Sequence, residues 1–137
     1  MSATSIGLFK QLRSGYEAPD LSGAWIITHT VESANMDTYI GETYLYKVSV
    51  NQKGNFISGA GEQKGDNDGP ALKSFKISWN EMELKEGEVV ITYLLEANRP
   101  VSGNMKLKID SDNSNHLSGT FYNPIADSKG RVKVIRE

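Results

Sequence analysis

From Gly23 onward this chain is written in period two. Tyr44, Tyr46, Val48 and Val50 alternate with Thr43, Lys47, Ser49 and Asn51, with Leu45 the exception. Val89, Ile91, Tyr93 and Leu95 share one phase. Met105, Leu107 and Ile109 alternate with Lys106, Lys108 and Asp110, and Val132 and Val134 alternate with Arg131 and Lys133. Successive side chains of a strand point to opposite faces, so this pattern describes strands with one buried and one wet face. Eight such segments are legible, at residues 25–31, 43–51, 56–63, 72–79, 89–97, 105–110, 117–122 and 131–134. Short polar turns join most of them, among them Lys53-Gly54-Asn55 and Glu86-Gly87-Glu88. The strongest loop signal is Lys64-Gly65-Asp66-Asn67-Asp68-Gly69-Pro70.

Antiparallel neighbours joined by short turns make an up-and-down meander. Eight strands is the number at which a closed barrel is just filled by side chains or holds one small ligand. Closure also removes the exposed edges that a long meander would leave. The expectation is therefore an all-β chain: a single eight-stranded antiparallel up-and-down barrel over residues 21–137. A β-sandwich is the alternative. Residues 1–20 read as an N-terminal tail and linker. Ile6, Leu8, Phe9 and Leu12 fit a short amphipathic helix over residues 6–16, with Gly15 at its end.

One phrase recurs along the strands. Leu21-Ser22-Gly23-Ala24-Trp25 and Leu117-Ser118-Gly119-Thr120-Phe121 share an apolar residue, Ser-Gly, a small residue and an aromatic. Ile57-Ser58-Gly59 and Val101-Ser102-Gly103 echo it. Glycine inside a strand permits sharp coiling and close approach of a neighbouring backbone, so these four points read as bends that close the barrel. Trp25 and Trp79 read as plugs at its ends.

Composition narrows the function classes. The 137 residues suit one domain and one core. No Cys is present, which excludes disulfides, thiolate chemistry and Cys-based zinc sites. No stretch approaches the ~20 apolar residues of a membrane helix, and the first residues lack a signal-peptide h-region. The net charge of −2 argues against broad nucleic-acid binding and against a DNA or RNA duplex as partner. The charge is uneven, however. From Arg99 onward seven basic residues meet four acidic ones, so the last third is +3 and offers a local site for an anion.

Catalytic patterns are absent. His29 and His116 do not form a ligand-spaced pair, and a lone strand His reads as a packed or exposed residue. No Gly-x-Ser-x-Gly elbow accompanies the serines. Asp66-Asn67-Asp68-Gly69 lacks the distal Glu of a calcium loop. The expectation is no catalytic residue, no metal and no cofactor. Binding is better supported. Tyr44, Tyr46 and Tyr93 fall on inward phases, and a Tyr offers an apolar ring with a hydroxyl. Arg99 follows the most apolar strand and could pair a phosphate. Tyr122 and Asn123 stand at another strand exit, as does Asn98.

The Gly-x-Trp of the first strand resembles the opening motif of lipocalins and other calycins. Four pieces read together resemble a narrower family: Pro19-Asp20-Leu21-Ser22-Gly23-Ala24-Trp25, Ile91-Thr92-Tyr93 running to Asn98-Arg99-Pro100, Leu117 to Asn123, and Ser128-Lys129-Gly130-Arg131-Val132. In this order they resemble the β-strand-rich effector domain that follows two transmembrane helices in bacterial CBASS-type antiphage systems. Leu8 to Tyr16 is similar to that family's linker, so the resemblance covers roughly residues 8 to 137. It implies an eight-stranded barrel that senses a cyclic di- or trinucleotide and signals by homo-oligomerisation. It also implies a cytoplasmic domain, anchored in the bacterial inner membrane only through helices that this chain does not contain. Either such helices belong to a longer protein of which this chain is a part, or the protein is a soluble relative, and in the second case membrane disruption does not carry over.

The leading expectation is thus a non-enzymatic cyclic-oligonucleotide receptor domain. Its ligand contacts would be Tyr93, Arg99, Tyr122 and Asn123, with Tyr44 and Tyr46 behind them. The rival is a lipocalin-like carrier of a small apolar molecule, and a third reading is a ligand-free interaction module with a filled barrel. A cavity lined by Tyr and Arg would favour the nucleotide, and an apolar one the carrier.

Overall fold

The computed structural model describes residues 18–66, 69–70, 75–97 and 99–137. The expected helix at 6–16, Asn98, and the start of the strand expected from residue 72 lie outside the described residues.

The alternating segments form strands β1 (Gly23–Ser33), β2 (Thr43–Lys53), β3 (Phe56–Asp66), the two-residue β4 (Gly69–Pro70), β5 (Lys76–Glu83), β6 (Glu88–Glu96), β7 (Pro100–Ile109), β8 (His116–Asn123) and β9 (Ser128–Arg136). Two 3-10 turns, Asp37–Tyr39 and Ile125–Asp127, sit in connections. The eight long strands pair in chain order, all antiparallel, and β9 pairs back onto β1. The sheet therefore closes into a barrel, as the alternation predicts. The β4 pair only lengthens β3 at one end, through Gly65 and Asp66.

Inward phases hold one continuous core. Trp25, Ile27 and Val31 of β1, Tyr46 and Val48 of β2, and Val89, Ile91, Tyr93 and Leu95 of β6 are all buried. Ile57 of β3, Ile77 and Trp79 of β5, Met105 and Leu107 of β7, Leu117 and Phe121 of β8, Val132 and Val134 of β9, and Leu21 and Leu84 outside the strands complete it. Leu45, the break in the alternation, faces outward and is exposed. The last strand begins at Ser128, earlier than the loop expected through residue 130, because Lys129 and Gly130 pair with Tyr122 and Phe121.

The Ser-Gly points do different jobs. A Cβ on Gly119 would stand 1.7 Å from the Lys106 carbonyl oxygen of the neighbouring strand. Gly59 and Gly103 instead lie under rings: each would carry its Cβ into the ring opposite, Trp79 or Tyr93. Gly130 shows the same arrangement beneath Phe121 and also meets the Thr30 carbonyl. Three inward aromatics thus each cover a glycine directly across the ladder, which fits large rings into a small barrel.

The two ends differ. Both tryptophans, read as plugs at the barrel ends, stand at the same end. Trp25 lies early on β1 and Trp79 midway along the antiparallel β5, and the two line one void. With Leu21, Ile57, Ile91, Leu107, Leu117 and Val134 they leave a void of only about 20 Å³. Residues 19–22 seal this end. The Leu21 amide donates to Gln52 Oε1 at 2.7 Å, and the Trp25 indole donates to the Leu21 carbonyl at 2.7 Å. Arg136 donates to the Ser22 and Asp20 carbonyls, each at 2.7 Å, and its guanidinium lies 4.4 Å from the Trp25 ring centroid. Arg136→Ala should cost about 1–2 kcal/mol in chemical unfolding, since it frees two carbonyl partners and uncovers an indole.

Candidate functional site

The other end is open. Toward it, the inward residues of β3, β8 and β9 change from bulky and apolar to small and polar. On β3 the phase runs Ile57, Gly59, Gly61, Gln63 and Gly65. On β8 it ends in Asn123, and on β9 it starts with Ser128. The space this leaves is a cavity of about 180 Å³. Its wall includes the rings of His29, Tyr39, Tyr44, Tyr46, Phe75 and Phe121, together with Val31, Leu95, Ala97 and Ile125. Gln63, Asn123 and Ser128 supply its polar groups.

Among the described residues, the buried polar side chains are His29, Gln63, Asn123 and Ser128. All four line this one cavity. A core buries polar groups only where hydrogen bonds or a ligand compensate, so this concentration marks the end of the barrel that is not a filler. Asn123 Oδ1 accepts from the Ile125 amide at 2.9 Å, and the Ser128 hydroxyl donates to the Ile125 carbonyl at 3.0 Å. These bonds fix the β8–β9 connection over the mouth. The Tyr44 hydroxyl donates to Glu42 Oε2 at the rim. Burial pushes the Tyr44 and Tyr46 hydroxyls above the usual phenol range, so both remain neutral donors at neutral pH.

His29 forms the inner wall. Its ring stacks on Phe121 at 4.3 Å between centroids and 9° between planes, with Tyr46 edge-on at 5.2 Å and Tyr93 at 5.7 Å. Only 2% of the residue is exposed, and burial holds its pKa at about 3, so the imidazole is neutral. Its Nε2 has no hydrogen-bond partner among the described residues, and neither has the Tyr93 hydroxyl. Burial raises the Tyr93 pKa above the usual phenol range, and the neighbouring Asn123 side chain opposes this without closing a hydrogen bond of normal geometry.

The six residues expected at a site gather in this half of the barrel but not on one surface. Tyr44, Tyr46 and Asn123 line the cavity. Tyr93 points inward beneath it, against His29. Arg99 is exposed in the β6–β7 hairpin, two residues beyond the cavity-lining Ala97. Tyr122 faces outward, because it alternates with the inward Phe121 and Asn123. Its hydroxyl meets Asp127, which raises its pKa, and Lys129 Nζ lies 5.8 Å from its ring centroid. His29, Gln63, Phe75 and Phe121 join the site without having been expected there. The readable signal was a polar residue standing in an inward phase, which His29 and Gln63 both show.

No family model matches the sequence, and no curated protein matches it. Several solved structures match in fold. The redesigned β barrel b11L5F_LGL superposes with a TM-score of 0.65 at 13% identity, covering 85% of this chain and 91% of that one. The redesigned β barrel mFAP1, bound to DFHBI, gives a TM-score of 0.63 at 12% identity, covering 85% and 94%. The related mFAP0, also bound to DFHBI, gives 0.60 at 11% identity, covering 85% and 98%. At these identities the likeness is one of fold.

Proposed function

We propose that this barrel is a non-enzymatic receptor whose ligand inserts one planar ring into the open end. The observation that carries this reading is the gathering of all four described buried polar side chains on one ring-lined cavity. His29, Tyr46 and Phe121 offer faces and edges for a planar group, and the Gln63 and Asn123 amides can read its polar edge. The described lining holds no Lys or Arg, so an anionic remainder of the ligand stays outside, over the mouth beside Arg99. A cyclic oligonucleotide fits in this mode: one base enters and a phosphate meets Arg99. The motif resemblance to antiphage effector barrels supports the same class, with homo-oligomerisation as the output.

The mainly apolar wall favours a second reading, a carrier of a small uncharged ring compound. Two structural neighbours are redesigned barrels bound to DFHBI, which is in keeping with such a cargo.

Calorimetry against cyclic di- and trinucleotides, with small aromatic compounds alongside, separates the two. The expected result is saturable nucleotide binding that Ala97→Trp abolishes by filling the mouth. Arg99→Ala should weaken it by about 1–3 kcal/mol, as befits a charge-assisted phosphate contact. Binding of the aromatic compounds alone, indifferent to Arg99→Ala, would establish the carrier instead.

A further inference from the structure

The outer wall over β7, β8 and β9 carries a charge pattern that the cavity does not use. Strand register sets its residues in rungs. Lys106 lies beside Thr120, Thr120 beside Arg131, and Arg131 beside Thr30. The next rung is Lys108, Ser118, Lys133 and Thr28. The third is Asn104, Tyr122, Lys129 and Ser33. Long cations therefore stand on β7 and β9, and short hydroxyl side chains lie between them on β8. The difference in length leaves a trough along β8, formed by two surface depressions that share Thr120.

Ion pairing is sparser on this face than on most of the wall. Lys47, Lys53, Lys64 and Lys85, on other faces, each reach a carboxylate, while Lys76 of β5 has none among the described residues. On the trough only Arg131 reaches one, meeting Glu32 at 3.3 Å. Glu88 stands beside Lys108 in register, yet the two form no ion pair. Lys106, Lys108, Lys129 and Lys133 have no ion pair among the described residues. Four unpaired cations on one face of a protein of net charge −2 concentrate its positive potential there.

We propose that this trough binds single-stranded nucleic acid along β8. Alternate residues of a strand stand ~6.7 Å apart, so Lys129, Arg131 and Lys133 recur along β9 much as phosphates recur along an extended chain. The hydroxyls of Ser118, Thr120, Thr28 and Thr30 can donate to phosphate oxygens, contacts that hold a backbone without reading sequence. Tyr122 stands at one end of the trough with Lys129 Nζ over its ring at 5.8 Å, and a base that displaces this ammonium toward a phosphate can stack there. The shape chooses among polyanions. A trough one strand wide admits a single extended chain, whereas a duplex is too broad for it. A flat bilayer would touch this convex wall only at the tips of the lysines.

Fluorescence anisotropy of a labelled oligothymidylate, titrated with the whole chain, tests the proposal. Binding should be saturable, and its logarithm should fall with the logarithm of salt concentration with a slope of roughly −3, since each neutralised phosphate of a single strand contributes about 0.7. The double substitution Lys106→Glu with Lys133→Glu should weaken it more than tenfold while leaving the far-ultraviolet circular dichroism unchanged. Tyr122→Ala should weaken it severalfold at the same salt slope. Ala97→Trp, which closes the cavity, should leave it untouched, so this site stands or falls apart from the ring-binding one. An oligothymidylate that does not bind at low salt, or binds regardless of charge reversal, overturns the proposal. Equal binding of polyglutamate or of anionic vesicles, lost in the same double variant, overturns the assignment to nucleic acid.

Discussion

Gly119→Ala should destabilise the barrel by about 3 kcal/mol, with a melting temperature on the order of 10 °C lower. The added methyl carbon would stand 1.7 Å from the Lys106 carbonyl oxygen and 2.8 Å from its carbon. That neighbour is backbone of the paired strand, not the tip of a flexible side chain. Relief requires β7 and β8 to separate, and Lys106 pairs with Thr120 one residue away. Ladder hydrogen bonds would lengthen on both sides. Gly54→Ala is the control. Gly54 sits in a turn at φ +59° with open space around it, so alanine there meets only local backbone strain of about 1 kcal/mol. Urea unfolding of the two variants makes the comparison. Equal losses would show that the barrel accommodates side chains at Gly119 and that close strand approach there is dispensable.

The same position shows why the fold was legible and where legibility stopped. Alternation is a local property, so eight strands could be counted from the chain and their inward faces named. The Ser-Gly phrases could be read as bends, because glycine in a strand needs a reason. Which reason applies depends on register. Gly103 lies opposite Tyr93 and Gly59 opposite Trp79, whereas Gly119 lies against backbone. Register is settled by closure around the whole barrel, so four similar phrases acquired different roles only in three dimensions. The tryptophans follow the same logic. Their phases were readable, but their shared end depends on the antiparallel course of β1 and β5.

Legibility of the site was uneven for a related reason. Corners are marked by turn residues, so the open half could be located from Arg99 and from Tyr122-Asn123. Inward or outward direction near a strand end depends on where the strand stops. Asn123 lies inward, and Tyr122, one residue earlier, therefore lies outward. His29 reads from the sequence as either a packed or an exposed residue, and the structure packs it. Its second property, a place on the cavity wall, follows from the small inward residues Gly65, Ala97 and Ser128 on distant strands. No single strand records that space. Polar residues in inward phases do record it collectively, and the four buried ones converge on one end.

His29 should govern the acid stability of the protein. Its pKa is about 3 in the folded barrel, because burial among Tyr46, Tyr93 and Phe121 penalises the charged imidazolium, against 6.5 for an unburied histidine. Between those values the unfolded chain binds a proton that the native barrel refuses. Stability is therefore complete above about pH 6.5 and falls as pH drops toward 3, by on the order of 4 kcal/mol at the limit of the window. Below that limit the native state also takes the proton, and the loss from this residue ends. Replacing the imidazole by an aromatic or amide that does not titrate removes the effect at its source. His29→Phe keeps the stack on Phe121, and His29→Gln keeps a neutral polar group, so an overpacked ring in one variant is checked by the other. Both should show a nearly level unfolding free energy from pH 6.5 to 4, where the parent protein loses much of its margin. The buried tyrosines set the opposite flank. Burial raises the pKa values of Tyr44, Tyr46 and Tyr93, so their contribution holds below about pH 10 and is lost as alkali ionises the unfolded chain first. Urea titrations across the acid range decide the matter for His29. A parent curve as level as those of the two variants would mean that the imidazolium finds compensation inside the barrel, most simply through water entering the open end.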